Sequence, residues 1–215
     1  MKHKSRIFSS QKKHAIGYPR LRCCDASPGI TRPVAVASVL WSGTDVRADD
    51  PRDEPDALRA VLANVDRKPP AGWAAVRAFE AAHAIELPEP FRGFLASVSD
   101  GCPAGPPAYG LSGLGALTGP EADATLARPF PLTSARFWDE ETGPAKGDGT
   151  VHLGTDGCAM DWRLVVTGEH RGHVWQFTDV GAQPFGRPFG YTTAEPGFGG
   201  WLRHWAAGRD WFDAD

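Results

Sequence analysis

No stretch of this chain approaches the roughly 18 consecutive apolar residues that a membrane-spanning helix needs. The longest clean apolar run, Pro33–Trp41, is too short for that and lies too far along to be the apolar region of a signal peptide. Cysteine is scarce. There are four in 215 residues, two of them adjacent at Cys23 and Cys24, which excludes a disulfide framework and points to a reducing, cytoplasmic setting. Common chemical motifs are missing too. The chain has no Gly-x-x-x-x-Gly-Lys-Ser/Thr phosphate loop and no His-Glu-x-x-His. Gly110-Leu111-Ser112-Gly113 has the wrong spacing for a nucleophile elbow, and Gly110, Gly113 and Gly115 do not spell a dinucleotide fingerprint.

Acid is almost absent from the first 44 residues, where Asp25 faces eight Lys and Arg. The whole chain has 23 basic and 26 acidic residues, so 1–44 carry a formal charge of about +7 and 45–215 about −10. Residues 1–44 lack helical or strand periodicity and carry scattered Pro and Gly. They read as a disordered basic tail, either dispensable or the product of a start placed upstream of one at Val34, Val36 or Val39. A nucleic-acid arm is the competing reading. Residues 45–54 read as an acidic linker, and 55–215 as the folded domain. An acidic body disfavours nucleic acid as its ligand and favours a basic partner.

The chain as a whole is 41% hydrophobic with eight Trp and eleven Phe, all but Trp41 and Phe8 in the body, where they can build a core. Leu58, Val61, Leu62 and Val65 fall at i, i+3, i+4, i+7 and predict a first helix, stopped by Lys68-Pro69-Pro70. Trp73, Val76, Phe79 and His83 predict a second over 72–84. Phe91, Phe94, Leu95 and Val98 predict a third, closed by Asp100-Gly101. Residues 101–150 are rich in Gly and Pro and read as a long loop, with a short strand near Tyr109-Gly110-Leu111 and a short helix near Glu121–Leu126.

From Thr150 the period changes to two. Strands are expected at Thr150–Leu153, ended by a Gly154-Thr155-Asp156-Gly157 turn, at Asp161–Val166, and at His173–Thr178, the last two forming an antiparallel hairpin. Thr192 and Glu195 have capping-box spacing before a final stripe of Phe198, Trp201, Leu202 and Trp205. The order of elements predicts an α+β domain with an antiparallel or mixed sheet packed with helices.

Two side-chain sets carry chemistry in principle. His152, Cys158, His170 and His173 are zinc-ligand types, but their spacing lacks a Cys-x-x-Cys half, so no metal and no cofactor is expected. Asp139-Glu140-Glu141 and the pair Asp156 and Asp161 are acid clusters without a partner base, and they read as solvated loop residues.

The run Trp73-x-x-Val76-x-x-Phe79-Glu80, then Ile85-Glu86-Leu87-Pro88-x-x-Phe91-Arg92-x-Phe94-Leu95, then Asp100-Gly101, resembles the N-terminal signature of the SMI1/KNR4 (SUKH) superfamily. Tyr109-Gly110-Leu111, Val151–Gly157, Gly172-x-Val174-Trp175 and Phe198-x-x-Trp201-Leu202 are similar to that family's later motifs, in order over about 55–208. The long Gly/Pro-rich 112–149 segment and the basic tail depart from the pattern. The resemblance implies an α+β fold without catalysis and, for a bacterial member, immunity to a polymorphic toxin. The heavy use of Ala, Gly, Pro and Arg suits a bacterial source. The expected function is direct binding of a basic toxin domain, a nuclease in the first instance, with Asp139, Glu140, Glu141 and Asp156 as contact residues because they fall on predicted loops. The alternatives are a regulatory SMI1/KNR4-type interaction module without a toxin partner, and a metal-dependent hydrolase built on His152, Cys158, His170 and His173. Neither nucleic acid nor membrane is an expected partner.

Overall fold

Amphipathic stripes at helical spacing and alternating segments have to bury their apolar sides against each other, and here they do so on both faces of one sheet. The computed structural model describes residues 54–119, 125–139 and 147–214, all within one compact unit. The expected tail 1–44 and residues 45–53 of the expected linker lie outside the described residues. Glu54, read as the end of that linker, instead opens the first helix.

Four helices precede and follow the strands: α1 (Glu54–Val61), α2 (Trp73–His83), α3 (Phe91–Ser97) and α4 (Gly197–Ala206). The strands are β1 (Arg136–Phe137), β2 (Thr150–Gly157), β3 (Met160–Val165), β4 (Val174–Phe177) and β5 (Gly181–Pro184). They form an antiparallel sheet of order β1-β5-β4-β3-β2, so the domain is α+β. No helix among the described residues is long and apolar enough to cross a membrane.

One face of the sheet meets the helices. Leu58, Leu62, Val76, Phe91, Phe94, Leu95, Phe198 and Trp201 close over Val151, Leu153, Trp162, Leu164 and Val174, all buried. Aromatic rings set the geometry. Phe198 meets Phe91 and Phe94 edge-on at 4.8 and 5.1 Å, and Trp162 stands 5.7 Å from Phe185 and 4.6 Å from Trp211.

The other face is also covered. Val165, Trp175, Phe177 and Ala182 pack against Phe130 and Leu132, with Trp138 beside them. The Phe130 ring meets Trp175 edge-on at 4.9 Å. The Gly/Pro-rich segment thus supplies the cover of the second face. The segment is tied in by the backbone Phe130 N–H to Thr167 O at 2.9 Å and by the Trp138 indole Nε1–H to Thr178 O at 2.9 Å.

Several expected boundaries move. The Gly154–Gly157 turn is strand: β2 continues to Gly157, which pairs with Met160, and the chain reverses through Cys158-Ala159. Both of those residues have positive φ, 48° and 57°, the requirement of a two-residue type I′ turn. Gly154 is needed for a different reason. Segment 107–110 crosses so closely that a Cβ there would collide with the Gly110 carbonyl and Pro107. β1 and β5 were not expected; β1 is two residues long, and β5, Gly181-Ala182-Gln183-Pro184, has too little apolar alternation to signal a strand. The Tyr109–Leu111 strand is reduced to a Cys102–Leu111 bridge. Residues 121–124 of the expected short helix lie outside the described residues, and Leu126 is buried beyond them.

The expected capping box does not form. Pro196 precedes α4, with no side chain capping it. Thr192 instead donates to Asp213 Oδ1 at 2.9 Å, where Thr193 N–H also binds, at 2.7 Å. Burial opposes ionisation of Asp213, but these donors outweigh it and hold its carboxyl at about 2. That carboxylate fastens the C-terminal stretch, which brings Trp211 onto Trp201 as parallel rings at 5.4 Å.

Candidate interaction surface

Large apolar side chains left in water mark contact surfaces better than charge does, because burial is their default state. Phe137 is 51% exposed and Val180 46%. The ladder brings them to one place. Phe137 pairs with Gly181, and Trp138 N–H donates to Val180 O at 3.0 Å, so both residues lie where β1 ends the sheet. The turn that carries Val180 is held by Thr178, whose Oγ1 accepts Val180 N–H at 3.2 Å and Gly181 N–H at 3.1 Å.

Carboxylates flank this patch. Asp179 is exposed in the same turn, and Asp139 follows Trp138 directly. Asp139 lies 3.7 Å from Arg136, an exposed pair of a kind worth at most about 1 kcal/mol. Glu140 and Glu141, the other two expected contact residues of this cluster, lie outside the described residues.

Asp156 is elsewhere and otherwise engaged. Its Oδ1 accepts Ala108 N–H at 2.9 Å and its Oδ2 accepts Trp162 Nε1–H at 2.7 Å. These bonds tie the 108 loop to the buried indole, so Asp156 serves the fold and does not join the Asp139 patch. Asp161, its partner in the sequence reading, lies 3.8 Å from His152 on the sheet.

The four zinc-ligand types are dispersed. Cys158 is exposed at the β2–β3 hairpin tip. His170 and His173 meet through Nδ1 atoms 3.1 Å apart, and His170 Nε2 reaches Thr133 O at 3.1 Å. Burial, followed by the neighbouring His170, pushes His173 below the ordinary histidine value. His152 is on β2 beside Ser112. Among the described residues no group of three or more His, Cys, Asp or Glu could hold a metal.

The acidic surplus is smaller on the described residues than over the whole body. They carry 16 Asp and Glu against 12 Lys and Arg, about −4 of the −10. Many of these acids face arginines: Glu54 with Arg203 at 2.6 Å, Glu195 with Arg187 at 2.7 Å, and Asp148 with Arg128 at 3.0 Å. Glu80, 7% exposed, is held at 2.9 Å by Arg92 and accepts Leu87 N–H at 2.9 Å. Sequence reasoning missed Phe137 and Val180, since a lone aromatic in a Gly/Pro-rich run gives no periodic signal. Compared with family models, with curated proteins and with solved structures, the chain matches none.

Proposed function

We propose that the chain is a protein-binding module of the SMI1/KNR4 kind that acts as an immunity protein, neutralising a basic toxin domain by direct contact. The observation that carries this reading is the exposed Phe137–Val180 pair with Asp139 and Asp179 beside it. An apolar centre inside a charged rim is the anatomy of protein interfaces, in which a few buried anchors supply most of the affinity. The acid rim matches a partner that must itself attract phosphate, and it speeds encounter. Glu140 and Glu141 follow Asp139 in the chain and add to the same sign. The order of three helices, a strand cluster and a closing helix is in keeping with the family resemblance. Among the described residues net charge contributes little, because arginines meet many of the acids there.

The test is calorimetric titration of the purified chain against the product of any toxin gene found beside its own, as a purified basic domain, at low and physiological salt. A complex at micromolar Kd or tighter, weakened by salt, is expected. Phe137→Ala should weaken it at least about tenfold while leaving the melting temperature unchanged. No complex at micromolar concentration and low salt would overturn the reading.

A further inference from the structure

A serine, a histidine and an aspartate from distant parts of the chain converge near the end of the sheet opposite β1. Ser112 lies in the segment that runs beside β2, and its N–H donates to Leu153 O at 2.7 Å. His152 is on β2 itself, its N–H bound to Leu117 O at 2.8 Å. Asp161 is on β3, beside Thr155 in the ladder. These backbone bonds fix a nucleophile type and a base type 40 residues apart in sequence. Ser112 Oγ lies 3.1 Å from His152 Nδ1, and His152 Nε2 lies 3.8 Å from Asp161 Oδ1.

Catalysis requires one tautomer of the His152 ring. If the Ser112 hydroxyl donates to Nδ1, the ring proton is on Nε2, the nitrogen facing Asp161. A carboxylate there steadies the ring and favours the imidazolium that forms when Nδ1 takes a proton. The facing His152 ring, more than any other influence, holds Asp161 below the ordinary carboxylate value, with burial opposing. Arg163, two residues on, acts in the same direction on Asp161. The array is half-buried yet reachable: the side chains of His152 and Asp161 are 18% and 30% exposed.

We propose that Ser112, His152 and Asp161 form a nucleophilic site, in which the Ser112 hydroxyl, activated by His152, attacks the carbonyl carbon of a carboxylic ester. The Oγ–C bond forms as the hydroxyl proton passes to His152 Nδ1. The C–O bond to the alcohol then breaks, and the alcohol leaves with that proton. Water then gives a proton to the same nitrogen as its oxygen bonds to the acyl carbon; the C–Oγ bond breaks, the carboxylic acid leaves, and Ser112 Oγ takes that proton back. Ser112 and His152 are the catalytic residues, and Asp161 is a positioning residue. This site is distant in the strand order from the Phe137 patch, and the proposal stands independently of the binding reading. The sequence search passed over Ser112 because it asks for an elbow motif, whereas here the partners come from another segment.

A fluorophosphonate probe tests the site on the full chain. Attack by Ser112 forms an Oγ–P bond, expels fluoride and passes the proton to His152. Mass spectrometry should find the adduct on the peptide containing Ser112, and none there in Ser112→Ala. Labelling should be faster in alkaline than in acidic buffer, because only a neutral imidazole accepts the hydroxyl proton. His152→Gln should slow it by about 100-fold or more, the contribution of a positioned general base. Asp161→Asn should slow labelling, and Asp161→Glu, which keeps a carboxylate facing the ring, should restore it in part. A merely structural role would show no such rescue by the conservative variant. Circular dichroism melts confirm that the variants are folded. Absence of a Ser112 adduct, or equal labelling in folded His152→Gln, would overturn the proposal.

Discussion

Single side chains decide where this fold keeps its polar groups. Three tryptophans, at 162, 175 and 201, are fully buried, and of these three only Trp162 finds an acceptor for its Nε1–H among the described residues, Asp156. The same carboxylate takes the Ala108 N–H. Asp156→Ala would leave both donors unpaired, one of them in the core, and should destabilise the domain by about 2–3 kcal/mol in urea unfolding. Asp139→Ala, at an exposed position, should change stability by less than about 0.5 kcal/mol. A result in the reverse order would return Asp156 to the contact surface. These two residues looked alike in sequence, since both are acids beside expected loops. What separates them is a long-range partner, and no local pattern records that.

Elements show which signals are local. The stripes Val76/Phe79 and Phe91/Phe94/Leu95 placed α2 and α3, and the Leu58–Val65 stripe placed α1 with its end too late, since α1 stops at Val61; helical periodicity is written into neighbouring residues. The Gly154–Gly157 segment misled because glycine has more than one use. Gly154 accommodates a crossing backbone within a strand, while the reversal falls to Cys158-Ala159, residues with no turn preference. An alanine at φ 57° costs about 1 kcal/mol or more relative to glycine. Ala159→Gly should therefore raise the stability of the β2–β3 hairpin, and of the domain, by about 1 kcal/mol in a denaturant midpoint measured at unchanged slope. No gain would mean that the turn is not the type I′ form.

Over the whole molecule, the sheet is sandwiched. Helices cover one face and residues 130–138 the other. The segment read as a family departure is therefore part of the core, and Phe130, 6% exposed against Trp175, is its anchor. Phe130→Ala should lower stability by about 3 kcal/mol in one cooperative transition followed by both fluorescence and circular dichroism. An unchanged midpoint would mean that the segment is an appendage.

The sequence determined the α+β class, the helices and the run of strands after Thr150, because each depends on spacing between near neighbours. It did not determine the second buried face, the inward role of Asp156, the exposed pair Phe137 and Val180, or the meeting of Ser112 with His152 and Asp161. Those depend on which distant segments the sheet brings together. Strand order and register are set by the burial of both faces at once, a property of the assembled chain that no local window contains.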